Sequence, residues 1–154
     1  MVSSRGKGEE FEEAICKTLI RRFSTTEMPR KFQRTITNLP EDMKPCGDIA
    51  AVKDFRFSVD CRKGYSDGCL NNLFRKGSEL GKSWKRAQTR AAKAGLEPMM
   101  IWRQDYRDTV AIVDIEHVPA HPDIVPIMCY PLGIAIIELS QLLKHTKDIY
   151  WFAS

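Results

Sequence analysis

Apolar side chains recur at helical spacing near the start of the chain, at Phe11, Ile15, Leu19 and Ile20 with Ala14 and Cys16 beside them. This predicts an amphipathic helix over residues 8–23. Glu9, Glu10, Glu12 and Glu13 crowd its first turns and Arg21 and Arg22 its end, the polarity a helix dipole favours. Residues 24–46 carry Ser, Thr, Pro and Asn without periodicity and read as a long loop with a short helical piece at most. Residues 48–52 and 56–61 are two apolar stretches around the polar break 53–55, the pattern of a β-hairpin. The turn-rich segment 63–68 ends the second strand. A further helix, interrupted near Gly77, runs over 79–94, with Leu80, Trp84, Ala87, Ala91 and Ala94 as its buried stripe and Gly95 as its stop. Residues 98–102 and 109–113 read as buried strands, 124–130 and 134–137 as further strands, and 140–145 as a short helix capped by Ser140. Helix, hairpin, helix and strands in that order predict a mixed α/β domain.

Size and composition narrow the class. The 154 residues fit one domain with a real core, and 43% hydrophobic with 29% charged residues is the balance of an ordinary globular chain. No apolar run approaches bilayer-spanning length, and residues 1–8 lead straight into charge, so neither a membrane span nor a signal peptide is expected. A cytoplasmic location is the expectation. Five cysteines, widely spaced and without a C-x-x-C pair, read as reduced and mostly packed thiols. Residues 1–100 hold 20 basic against 13 acidic side chains and residues 101–154 hold 4 against 7, so the net +4 is unevenly spread. Between residues 62 and 93 nine basic residues face only Asp67 and Glu79. Such a stretch suits a phosphate backbone, and a solvated helix face has the same composition.

Several chemistries are excluded by motif. Gly6-Lys7-Gly8 follows no strand and lacks the third glycine of a dinucleotide site, and there is no P-loop or Gly-x-Ser-x-Gly elbow. His117, His121 and His145 read as surface or packing residues. The acidic residues are more informative. Asp48 opens the first hairpin strand and Asp60 lies near the end of the second, so an antiparallel hairpin makes them neighbours. Alternation puts Asp60 and Arg62 on one face, with Cys61 and Lys63 on the other. Two carboxylates and a cation at a strand end can hold Mg²⁺; an exposed surface pair is the alternative.

Gly8-Glu9-Glu10-Phe11-Glu12 at a helix start, Gly47-Asp48-Ile49, and Phe57-Ser58-Val59-Asp60-Cys61-Arg62 together resemble the PD-(D/E)XK nucleases, most of all archaeal-type and phage-encoded Holliday junction resolvase-like endonucleases. Trp84-Lys85-Arg86-Ala87-Gln88, followed by Ala91, Ala92 and Gly95-Leu96-Glu97-Pro98, resembles the tryptophan–glutamine helix of the phage-type members. The likeness spans about residues 5–105. It implies a restriction-endonuclease-like core, a central mixed sheet flanked by helices, over a single domain of residues 1–154. It further implies Mg²⁺, with Mn²⁺ as a substitute, bound by Glu12, Asp48, Asp60 and the Cys61 carbonyl. Arg62, Lys63 and Gln88 would complete the catalytic set, and Lys7, Lys82, Lys85, Arg86 and Arg90 would contact DNA, branched or duplex. A homodimer is expected, with the apolar segment 124–152 serving as interface or as core, and the host cytoplasm as location if the chain is phage-encoded. Two positions depart from the family pattern: Asp60 stands where that family has glutamate and Arg62 where it has lysine. Aspartate still ligates metal, but arginine stays protonated and cannot act as a general base. Two functional readings follow, an active DNA endonuclease and a nuclease fold without catalysis that binds DNA or protein. A protein-binding domain whose basic helix is only a solvated face is a third.

Overall fold

A computed structural model describes residues 4–64, 79–104 and 107–153, apart from the side chains of Ser4, Arg5 and Lys7. Helix α1 (Ser4–Phe23) begins a turn before the predicted start, so its glutamates occupy the second and third turns and its first turn holds no acidic residue. Phe11, Ile15, Cys16, Leu19 and Phe23 are buried, whereas Ile20, at the margin of that face, is exposed. The segment read as a loop contains two short strands, β1 (Phe32–Arg34) and β2 (Met43–Cys46). Both pair antiparallel with β3 (Ile49–Val52), giving a small sheet in the order β1-β3-β2. Strands of three or four residues are too short to show a period in sequence, and their partner is the sheet rather than each other.

The predicted hairpin is not formed. Strand β4 (Phe57–Lys63) leaves β3 and enters a second sheet, where it pairs parallel with β5 (Glu97–Arg103). That sheet has the order β4-β5-β6-β8-β7, with β6 (Val110–Asp114), β7 (Ile127–Cys129) and β8 (Ile134–Glu138). The parallel β4–β5 connection carries α2 (Glu79–Ala94), and β6, β7 and β8 are antiparallel neighbours. The predicted strand 124–130 is reduced to β7, and the segment predicted to turn at 65–68 and to break near Gly77 lies outside the described residues.

Strand alternation divides the core in two. Val59, Met99, Ile101, Ala111, Val113, Ala135 and Ile137 pack on the side of α1 and α3 (Leu139–His145). Met100, Trp102, Ile112, Ile134 and Ile136 pack under Leu80, Trp84 and Ala87 of α2. Ala91 continues that helical stripe; Ala94 is exposed, and Ser83 is buried in its stead. Helix α2 ends in a Schellman motif: Leu96 N–H donates to Ala91 O (2.9 Å) and Gly95 N–H to Ala92 O (3.2 Å), with Gly95 at φ +70°. The residue flanking α3 is Glu138, not Ser140, whose hydroxyl donates to the Glu138 carboxylate at 3.4 Å. The C-terminal aromatic residues are core. Trp151, in the short helix α4 (Asp148–Trp151), and Phe152 pack with Phe23, Phe32, Phe55 and Phe57, the Phe23–Phe152 rings meeting edge-on at 5.2 Å. Those residues are therefore not available as an interface.

Candidate functional site

Strand β4 is an edge strand, and an edge presents unpaired N–H groups. Residues 47 and 48 supply the missing partners. Gly47 bridges Val59 in parallel, Asp48 N–H donates to Val59 O (2.8 Å), and the Asp48 carboxylate accepts from Cys61 N–H (2.8 Å). Gly47 makes this approach possible: at φ +78°, a Cβ on it would lie 2.4 Å from Val59 O. Thr35, just past β1, holds the same corner, its N–H donating to Asp48 O and its hydroxyl to Gly47 O. Asp48 and Asp60 are thus brought together as expected, through a parallel bridge rather than a hairpin.

The two carboxylates share one cation. Arg90 Nη1 donates to Asp48 Oδ1 (2.9 Å) and to Asp60 Oδ1 (3.3 Å), while Nη2 donates to Gly47 O (2.8 Å). Burial, and then the neighbouring Asp48 carboxylate, push the Asp60 carboxyl above its ordinary pKa; the attraction of Arg90 offsets only part of that. Asp60 and Arg62 face α2, as alternation requires. Arg62 donates to the Ser83 hydroxyl and lies 3.8 Å from Glu79, which also pairs with Arg86 at 3.3 Å. Lys63, at the end of β4, lines the same cleft of about 790 Å³ as Asp48, Asp60, Arg62, Arg86 and Arg90.

Glu12 stands apart from that cleft. Arg34 of β1 engages it at 2.9 Å and reaches Glu9 at 3.5 Å. Its charge nevertheless bears on the centre: burial raises the Cys61 thiol well above the usual range, with Asp48, Glu12 and Asp60 adding to the effect. Gln88 is exposed and does not line the cleft; the α2 residues that do are Leu80 and the polar Glu79, Ser83, Arg86 and Arg90. Lys85, Arg86, Arg90 and Lys93 border a shallower groove of about 350 Å³ along α2, and Lys82 is exposed beside it. The side chain of Lys7 lies outside the described residues. His121 and His145 stack at 4.3 Å, and His117 meets Glu97 at 2.9 Å. Among the described residues, His121–Asp123–His145 and Glu97–Asp114–His117 bring their ligand atoms within 4.8 Å of one another, and Glu12–Asp48–Asp60 is not so tightly gathered.

Two contacts at the site have no plain mark in the sequence: Arg34, in a segment that reads as loop, engages Glu12, and Arg90, in the basic stretch, bonds both carboxylates. Arg90 had a signal. Glu79, Ser83, Arg86 and Arg90 form a polar stripe one residue ahead of the apolar stripe Leu80, Trp84, Ala87 and Ala91, so it must border the sheet.

The donor chemistry suits a hard divalent cation. Asp48 and Asp60 offer carboxylate oxygens that already converge on a single positive group. A carboxylate-x-cation strand beside a second carboxylate, under a basic helix and in a mixed α/β sheet, defines a restriction-endonuclease-like protein. A profile of the family described as "Phage putative PDDEXK endonuclease" matches residues 3–149, and the chain belongs to that family, a phage type of PD-(D/E)XK nuclease. No curated protein and no solved structure gives a significant match. No helix among the described residues is long and apolar enough to cross a membrane.

Proposed function

We propose that the chain is a metal-dependent DNA endonuclease that hydrolyses phosphodiester bonds of branched, Holliday-junction or duplex DNA, with Mg²⁺ as its ion and Mn²⁺ as a substitute. The observation that carries this is the convergence of Asp48 and Asp60 on one cationic group in a cleft flanked by basic side chains. Asp48, Asp60 and the Cys61 carbonyl would hold the ion, with Glu12 adding charge from the first helix. When bound, such an ion supplies Lewis-acid chemistry, acidifying water and withdrawing charge from phosphate oxygens.

The chain's own residues do the rest. Arg62, oriented by Ser83 and Glu79, faces the cleft as a permanent cation and would stabilise charge that develops on phosphate. It binds and polarises but takes no proton. Lys63 adds a second cation at the same strand end. Lys82, Lys85 and Arg86 would run along the backbone by phosphate contacts, which position the DNA without reading its sequence. Gln88, exposed on α2, has no part in this reading. A homodimer would place two such centres on a four-way junction. With the C-terminal aromatics in the core, the exposed apolar residues Val125, Ile127 and Tyr130 at the β7 edge would form its interface.

The test is cleavage of a labelled four-way junction and a linear duplex, with and without Mg²⁺ or Mn²⁺, by wild type, Asp48→Ala and Asp60→Ala. Wild type is expected to cut only with the ion, and each variant to lose on the order of 10²-fold or more, the scale of losing one group that stabilises transition-state charge. Cutting that survives both substitutions removes the site assignment. The arginine at position 62 motivates a second reading, a nuclease fold that binds DNA without catalysis, and metal-independent binding with no cutting by wild type would favour it.

A further inference from the structure

We infer that Arg90 is a resident counter-ion of the acidic pair, displaced when a divalent cation enters and then free to bind a DNA phosphate. The inference rests on the reading of Asp48 and Asp60 as metal ligands. Two carboxylates sharing a partly buried site repel each other, and one cation between them relieves the repulsion. Arg90 fills that role by geometry. One nitrogen bonds both carboxylates and a second bonds Gly47 O, so the guanidinium lies on the side where the two acids open to the cleft. A metal ion bound to the same oxygens competes with Arg90 for them and places a second positive charge against it. That repulsion favours release of the guanidinium.

The released side chain has a place to go. Arg90 comes from near the C-terminal end of α2, its side chain is 47% exposed, and it borders both the acidic cleft and the basic groove with Lys85, Arg86 and Lys93. Rotation of its flexible stem moves the guanidinium from one to the other without moving the helix. A planar fork of N–H donors suits phosphate as well as carboxylate. Metal entry and phosphate capture are then coupled, because whatever holds Arg90 in the groove lowers the cost of metal binding, and the reverse holds by linkage.

The experiment is a Mn²⁺ titration of the full chain without nucleic acid, read by calorimetry and by electron paramagnetic resonance of free Mn²⁺, for wild type, Arg90→Gln, Arg90→Lys and Asp48→Asn. Arg90→Gln is expected to bind Mn²⁺ about tenfold more tightly than wild type, as removal of a competing cation predicts. Arg90→Lys, which keeps the charge without the fork, should fall between them, and Asp48→Asn should lose the site. Arg90→Gln should also gain more thermal stability from Mn²⁺ than wild type does. Equal affinity in wild type and Arg90→Gln, with loss in Asp48→Asn, overturns the displacement and leaves the metal site intact. Weaker binding by Arg90→Gln overturns it too, since Arg90 would then support the ion. Mn²⁺ binding indifferent to Asp48→Asn in every variant overturns both the inference and the reading beneath it.

Discussion

Replacing Gly47 by alanine puts a methyl carbon 2.4 Å from Val59 O and 2.8 Å from both Val59 C and Val59 N. All three are backbone atoms of β4, so no side-chain rotation relieves the clash, and the strand must move away by on the order of 1 Å to restore ordinary contact. Two costs add. A non-glycine residue at a left-handed φ of +78° costs about 1–2 kcal/mol, and forced overpacking costs a further ~1–3 kcal/mol. The expected destabilisation is therefore about 2–5 kcal/mol, or roughly 5–15 °C in Tm for a chain of this size. Gly95 is the control. Its φ is +70°, but a Cβ there meets nothing within 4 Å, so Gly95→Ala carries only the conformational cost of ~1–2 kcal/mol. Equilibrium urea unfolding followed by the fluorescence of the buried Trp84, Trp102 and Trp151 measures both. The function should suffer beyond the fold, because the same displacement pulls Asp48 from Asp60, and a shift of about 1 Å in a positioned group costs on the order of 10²-fold in rate. Equal destabilisation by the two substitutions would refute the claim that close backbone approach, rather than φ alone, requires glycine at position 47. Full cleavage activity in folded Gly47→Ala would refute its positioning role.

Other outcomes follow from the same geometry. Asp60→Asn should stabilise the metal-free protein at neutral pH by about 1 kcal/mol, as removal of a strained functional group commonly does. The sign follows from linkage: a carboxyl whose folded pKa is raised contributes stability below its unfolded pKa and loses it as pH rises through the folded value. The advantage of the variant in thermal melts should therefore shrink as pH falls toward the ordinary aspartate range, and a constant difference across pH would contradict the assignment. Arg62→Ala should lower the cleavage rate by about 10²–10³-fold while changing stability by under about 1 kcal/mol, since the Arg62 side chain is 39% exposed and its ion pair long; a large fall in Tm with unchanged rate would make it a structural residue. Burial pushes the Cys46 thiol up to about 11 and the Cys16 thiol up to about 12, with Cys61 also well above its usual value. Peptide mapping after iodoacetamide at pH 7.5 should find these three unmodified in the folded chain and labelled in urea, and rapid native labelling of any of them would contradict its packing.

Much of the architecture was readable because long elements bury one face. The stripe Leu80, Trp84, Ala87 and Ala91 specified α2, and alternation in 97–103 and 110–114 separated residues facing α2 from those facing α1. Short strands carried no such record. The β1 and β2 pairings depend on β3, and β4 parts from β3 because its partner is a strand some forty residues on, a fact no local window contains. Asp48 and Asp60 were found as a pair from strand ends and family likeness, although the contact arises from a parallel bridge at Gly47. Glu12 was placed on the right helix, but its engagement by Arg34 could not be read, since Arg34 sits in a strand that looked like loop. Arg90 illustrates a further limit. Composition marks it as basic and exposed, and only the approach of α2 to β4 turns it inward to two carboxylates.

We propose Asp48 and Asp60 as the metal centre of a DNA endonuclease. Anomalous diffraction from crystals of the wild-type protein equilibrated with Mn²⁺ tests it most directly. The expected result is a peak bonded to both carboxylates, with the Arg90 guanidinium no longer between them. A peak confined to Glu97–Asp114–His117 or His121–Asp123–His145, with Arg90 still bonded to Asp48 and Asp60, would contradict it.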